Sequence, residues 1–334
     1  MHMADALVTP AVAGTMYAAS AVAAGVSIHR VRLENEPKKI PLMGVMGAFV
    51  FAAQMINFTI PGTGSSGHLC GGMLLSALLG PWAGFLTMIG VLLIQCLFFA
   101  DGGLLALGCN IWNMAFYGCF IGGLVIWRLI LQNGASRAKI ILASVLGCVL
   151  TLQLGAFSVT LETMLSGITE LLFGTFVAAM QPIHLAIGLV EGLITAAVLL
   201  FVYEARPELL WGIDGTKKES KLSFGWTLGV LGGAAALIGG GLSLLASSLP
   251  DGLEWAIGRI TGAEELEAAE EGIYAAAQNV QDATSFLPDY AFKGSESALG
   301  TTVSGIVGAL IVVALMVGAA MLFKFFQNKK KAAA

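Results

Sequence analysis

The sequence predicts an all-α integral membrane protein, and three observations carry that expectation. The 334 residues are 57% hydrophobic and only 11% charged, with a mean hydropathy of +0.84, far from a soluble composition. Several apolar runs approach the roughly 20 residues that a helix needs to span a bilayer. They are continuously apolar rather than alternating, which excludes a membrane β-barrel. Of the 17 Lys and Arg residues, all but Arg259 and Lys293 fall on segments that nine crossings would place on one side, the inner side by the positive-inside rule. The 43 glycines suit helices that pack closely through small residues.

Helix one is expected over about 9–28, rich in Ala and Gly, with Arg30, Arg32, Lys38 and Lys39 marking its inner end and an extracytoplasmic N-terminus. His29 lies at that border and reads as an interfacial side chain. Helix two starts near Pro41 and ends at Gln54-Met-Ile-Asn-Phe58. The loop Pro61-Gly-Thr-Gly-Ser-Ser-Gly67-His68 then falls outside, on the side of the N-terminus. A short third span over about 69–79 stops before Pro81, and a fourth covers about 82–99. Asp101-Gly-Gly103 turns outside, and the fifth runs over about 104–127 to Arg128, Arg137 and Lys139. The sixth covers about 140–159. An outer segment with Glu162 and Glu170 follows, and the seventh, over about 182–203, contains His184 and Glu191 on one face.

Residues 206–223 read as a charged cytoplasmic linker between a first domain, 1–205, and a second, 224–334. Helix eight is expected over about 224–245 and helix nine over about 299–326, ending in Lys329 to Lys331 and a cytoplasmic C-terminus. Between them an extracytoplasmic segment, about 247–297, carries Pro250-Asp-Gly-Leu-Glu254 and the acids from Glu264 to Glu271. Residues 264–280 read as one modest helix. Such a charge run reads first as solvated surface, with a cation-attracting antechamber as the alternative. Ala19 and Ala23, four apart on helix one, are a candidate face for docking another membrane protein, with internal packing as the other reading. The cysteines Cys70, Cys96, Cys109, Cys119 and Cys148 lie in or beside apolar runs without a CxxC pair, and read as buried packing residues. Cys70, two residues from His68, is the one conceivable thiolate ligand.

The chemistry concentrates at the start of the chain. No basic n-region precedes the first apolar run, so no cleavable leader is expected, and the bulky His2 is expected to preserve the initiator methionine. Met1-His2 then offers the α-amine, the Met1–His2 amide nitrogen and the His2 imidazole in chelating order. Amine and amide close a five-membered ring; amide and Nδ1 close a six-membered one. The three nitrogens lie near one plane with a fourth position open, an arrangement that suits nickel(II) or copper(II) rather than tetrahedral zinc. His68, in its glycine-rich loop, is the candidate fourth ligand. Chain starts are ordinarily frayed, but only residues 3–8 separate this one from an apolar helix. Ionisable groups inside a membrane default to functional hypotheses. His184 and Glu191 are accordingly candidates to orient a ligand or loop, with a hydrogen-bonded pair locking helices as the plainer reading, and Asn57 is a further candidate for such a role.

No Walker A motif is present, so the chain is not expected to hydrolyse ATP, and no HExxH argues against a zinc protease. With four histidines in all, a transition-metal site must use two or three of them. Met1-His-Met-Ala-Asp5, Gln54-Met-Ile-Asn-Phe58, Gly62-Thr-Gly-Ser-Ser-Gly-His68-Leu and His184-Leu-Ala-Ile-Gly-Leu-Val-Glu191-Gly, in that order, resemble the CbiM/NikM family over about 1–205. The last third, with Pro250 to Glu254 between two spans, resembles the accessory NikN-type (PDGLE) unit.

The resemblance implies a seven-helix substrate-binding (S) component of an energy-coupling factor importer, an ABC-type transporter of the bacterial or archaeal cell membrane, with two further helices fused to it. It also implies nickel or cobalt as transported substrate, held by Met1, His2 and His68. A transmembrane coupling (T) protein and two cytoplasmic ATPases are implied as partners, besides membrane lipid. No organic cofactor, enzymatic activity or nucleic-acid partner is expected. The alternatives are a metal-independent membrane receptor or assembly subunit, and a self-sufficient metal channel or carrier. The channel would need intramembrane carboxylates along a path, and the helices hold few beyond Glu191.

Overall fold

The computed structural model describes residues 1–31, 38–213, 220–295 and 297–332, with side chains as far as 326. Arg32 and residues 214–219 of the 206–223 linker, with Lys217 and Lys218, lie outside the described residues, as do the side chains of Lys329 to Lys331.

A 3-10 turn at Asp5–Leu7 leads into α1 (Pro10–Arg30), which opens with proline at its first turn, where no amide hydrogen is needed. α2 is Lys39–Gln54. A two-stranded antiparallel hairpin, β1 (Phe58–Ile60) and β2 (Ser65–Gly67), pairs Phe58 with Gly67 and Ile60 with Ser65. Its turn needs left-handed backbone at Gly62 and Gly64, φ +78° and +74°. α3 (Gly72–Leu79), fully buried, is only eight residues long and meets α4 (Pro81–Phe99) across Gly80. α5 spans Leu107–Leu131, with π-type turns over Ile111–Trp127.

Two elements outgrow their expected bounds. α6 is one continuous helix, Arg137–Ser166, so Glu162 lies inside it and is buried, accepting a hydrogen bond from Asn113 Nδ2 at 2.7 Å, rather than in an outer segment. α7 is Phe173–Ala205 and carries Pro182 within it; a proline there costs one hydrogen bond without ending the helix. α6 and α7 pack along their lengths, and α5 lies against α6.

In the last third, α8 (Phe224–Gly240) and α11 (Ala298–Ala332) pack on each other and on α2. Between them lie α9 (Gly252–Thr261) and α10 (Gly272–Thr284). The single helix expected over 264–280 is therefore corrected. Gly262 terminates α9, the run from Glu264 to Glu271 stays non-helical, and the helix begins only at Gly272. Crowded like charges oppose a helix through that run.

Among the described residues six helices, α1, α4, α5, α6, α7 and α11, are long and apolar enough to cross a membrane; α2 and α8 are apolar but shorter. The outer face of α1 is exposed at Gly14, Ala18, Val22 and Gly25, whereas Ala19 and Ala23 are half-buried and Ala23 packs against the core. The small-residue pair is thus turned toward the protein interior.

Candidate metal centre

The chain start is threaded into the protein rather than frayed. Met1 is 4% exposed and Met3 fully buried. The Met3 amide donates to Asn110 Oδ1 at 2.7 Å, while Asn110 Nδ2 and the Gly103 amide both donate to the Met3 carbonyl, at 3.1 and 2.9 Å. Asp5 Oδ1 accepts from the Ala106 amide at 2.9 Å. The loop between α4 and α5 and the first turn of α5 thus fix residues 3–5 as an added edge segment, and Met1 is carried to the hairpin.

There the Met1 amine donates to His68 Nε2 at 2.8 Å and to Asp251 Oδ2 at 2.5 Å. His68 Nδ1 faces the Leu69 carbonyl at 3.0 Å. A carbonyl only accepts, so Nδ1 holds the ring proton and Nε2 presents its lone pair to the amine. The His2 ring stacks on that of His68, centroids 5.3 Å apart and planes 13° off parallel. His2 Nδ1 points to Asp101 Oδ1 at 3.0 Å, and His2 Nε2 is buried with no partner among the described residues.

The charges follow from burial and from one another. Burial disfavours a charged His68, and the adjacent amine adds to this, so its pKa is lowered. Burial alone raises the Asp251 carboxyl, but the Met1 ammonium and His68 outweigh it and hold the group well below the usual carboxylate range. Reciprocally, burial lowers the amine and Asp251 outweighs it, so the ammonium is favoured. Burial, aided by Glu191, pushes the Cys70 thiol up, which keeps it neutral. That environment does not favour a thiolate ligand.

The remaining candidates surround this cluster in different ways. His184 and Glu191 do not bond to each other. Glu191 accepts the backbone N–H groups of Cys70 and Gly71, each at 2.9 Å, and so pins the chain just after His68. His184 Nδ1 bonds the Met180 carbonyl at 2.8 Å, while its buried Nε2 has no partner among the described residues. A cavity of about 10 Å³, room for about one water-sized sphere, is lined by Met1, Gly67, His68, His184, Asp251 and Gly252. Asn57 stands further out, its carbonyl accepting from the Ser247 amide at 2.7 Å.

It lines a larger cavity of about 610 Å³ together with His2, His68, Asp5, Asp101, Asp251, Glu254, Glu264, Glu265 and Asp289. Among the described residues no Lys or Arg lines it. Part of the acidic outer segment therefore fronts a chamber that reaches the two histidines, rather than serving only as solvated surface. Among the described residues no three His, Cys, Asp or Glu side chains gather into a conventional metal cage.

Sequence reasoning missed Asp101 and Asp251 as site residues. Asp251 had a local signal: Asp-Gly-Leu-Glu spells a capping box. Asp251 Oδ1 accepts from the Leu253 and Glu254 amides at 2.7 and 3.0 Å, and Glu254 Oε2 accepts from the Asp251 amide at 2.8 Å. That signal gives a helix start at Gly252 but not what the other carboxylate oxygen faces.

Apolar spans around a buried, polar cluster at one end of a helical bundle define a multi-pass membrane protein, and the relatives of the chain are named as transport proteins. Residues 2–209 match the family described as cobalt uptake substrate-specific transmembrane region, CbiM, and residues 225–325 match the PDGLE domain. The chain is 36% identical over 322 residues to the putative fused nickel transport protein NikMN of Archaeoglobus fulgidus, covering 94% of this chain and 96% of that one. It is 30% identical to the probable fused nickel transport protein LarMN of Lactiplantibacillus plantarum, covering 95% and 97%. A crystal structure described as a truncated transition metal transporter superposes with a TM-score of 0.54 at 31% identity, over 61% of this chain and 99% of that chain. The chain belongs to the CbiM family and carries a PDGLE domain after it: it is a transition-metal transport protein, not an enzyme.

Proposed function

We propose that this protein captures nickel, or cobalt, as the substrate-specific component of an energy-coupling factor importer. The metal would be held by the Met1 amine, the His2 amide and imidazole, and His68. The observation that carries the reading is the buried Met1 amine 2.8 Å from His68 Nε2. An ion about 2.0 Å from two nitrogens at right angles sets them about 2.8 Å apart, so amine and imidazole stand at the spacing of neighbouring corners of a coordination square. To complete that square, His2 swings Nδ1 away from Asp101, and the amine and amide each give up a proton to water. The acidic chamber supplies the approach, since a cleft lined by one sign of charge raises the local concentration of the opposite ion.

Seven crossings in the first unit and two in the second, starting outside and ending inside, fit this role. Met1, the hairpin, Asp101 and the segment around Asp251 all meet at one end of the bundle, which the reading assigns to the outside. A T protein and two ATPases would drive release to the cytoplasm. The likeness to fused nickel transporters over nearly the whole chain favours nickel, with cobalt as the second substrate.

Nickel titration of the purified chain tests the site. Against the native protein stand His2→Ala, His68→Ala and a form with two glycines ahead of Met1, which keeps every side chain but moves the free amine. Each is expected to lose nickel binding by about 100-fold or more, the loss of a ligand exceeding that of an outer partner. Native affinity in His68→Ala would refute the chelate. Nickel uptake by vesicles holding this chain alone would instead favour a self-sufficient carrier.

A further inference from the structure

The Met1 amine has two neighbours, and only one, His68, comes from the first unit. The other, Asp251 Oδ2 at 2.5 Å from the amine and 3.5 Å from His68 Nε2, comes from the PDGLE unit. We propose that Asp251 is a positioning residue of the metal site, holding the Met1 amine beside His68 so that the second unit completes the binding site of the first. This rests on the reading of Met1, His2 and His68 as ligands.

Asp251 is held as firmly as a ligand-orienting group needs to be. One oxygen caps the start of α9, so the other is aimed by the helix itself. The preceding residues are strapped to the hairpin that bears His68. The Ser66 amide donates to the Pro250 carbonyl at 2.8 Å, and Ser66 Oγ to the Leu249 carbonyl at 2.7 Å. Trp255 Nε1 adds a bond to the Thr63 carbonyl at 3.0 Å. The hairpin thus sets both His68 and Asp251 from one backbone. Gly252 presses on α7, where a Cβ would lie 2.9 Å from Ile187 Cδ1 and 3.0 Å from His184 Cε1. A bulkier residue there requires Ile187 or His184 to shift.

The first unit fixes the backbone of the chain start only as far as Met3, through Asn110 and Gly103; beyond it the first unit offers only the side chains of Asp101 and His68, both uncommitted to any helix start. The last two residues carry the backbone freedom whose loss opposes binding. A carboxylate on the amine removes that freedom in advance. After coordination the amine keeps two N–H groups, one of which can go on donating to Oδ2. The negative charge then lies next to the dication, as outer carboxylates do around metal-bound imidazoles.

Calorimetric nickel titration of the full chain tests this with Asp251→Ser and Asp251→Asn. Both side chains accept helix N-cap bonds, so a residue serving only as a cap would leave affinity unchanged. Asp251→Ser removes both the reach and the charge and decides the matter; Asp251→Asn decides it should the serine variant not fold. The expected result is about a 10–100-fold weaker affinity, the usual penalty for losing an orienting partner, with the melting temperature of the metal-free protein held. A change of less than about threefold, under ~0.7 kcal/mol, overturns the proposal, and any larger loss supports it. His68→Ala run alongside separates the two failures. If it abolishes binding while Asp251→Ser does not weaken it, only this proposal falls. If His68→Ala binds like the native chain, the chelate falls and takes this with it.

Discussion

Asp251 and Glu191 are both buried carboxylates within a few residues' contact of His68, yet they are satisfied in opposite ways. Glu191 takes two backbone N–H groups that have nowhere to go. Asp251 gives one oxygen to a helix start and the other to a mobile kind of partner, a terminal ammonium. A carboxylate paired with fixed dipoles builds architecture, because removing it strands the dipoles. One paired with an exchangeable charge can keep its place while its partner passes from proton to metal. The contrast separates what shapes the loop from what, on the proposed reading, serves the ion.

The largest effect expected from this contrast is on stability. Glu191→Ala orphans the Cys70 and Gly71 amides, and at about 1–3 kcal/mol for each stranded group should destabilise the metal-free protein by about 2–6 kcal/mol. Denaturation in detergent measures it, and a smaller loss than for Asp251→Asn would reverse the comparison. Next comes Asn110→Ala. It frees the Met3 amide and leaves the Met3 carbonyl with Gly103 alone, and nickel affinity should drop by about tenfold, ~1.4 kcal/mol; an unchanged affinity would mean that the remaining contacts hold the start without Asn110.

A third effect concerns Glu254, which burial and then the Asp251 charge push up to about 7 from its ordinary 4.5. The folded chain therefore binds this proton more tightly than the unfolded one. Stability contributed by the neutral acid is fully present below about 4.5, declines as pH rises to about 7 and is level above. Glu254→Gln, which still completes the capping box, should remove that decline. A melting temperature that falls with pH as steeply as in the native protein would exclude Glu254 as its source.

Much of the bundle was legible because an apolar run of membrane length leaves few choices. The helix ends were not. α6 swallowed Glu162 where Asn113, on another helix, donates to one of its carboxylate oxygens inside the bundle, and nothing local announces such a partner. Pro182 read as a start when it sits within α7, since proline is favoured at both helix starts and kinks. At the site, Met1 and His2 could be singled out because their order offers a chelate, and His68 because its glycine-rich loop falls on the same side; the three do lie together. Asp251 could not, for its partner is 250 residues away. His2 Nδ1 could not be placed either, since its engagement with Asp101 depends on how the α4–α5 loop returns.

The straps between the hairpin and Pro250 have a consequence for how such proteins assemble. Within one chain, Asp251 meets the amine at an effective concentration of about millimolar or above, whatever the abundance of the protein. Were the two units separate polypeptides, the same encounter would depend on how much of each the cell makes, and partner shortage would leave some chain starts unheld. Fusion converts a dose-dependent meeting into a fixed stoichiometry of one carboxylate per amine.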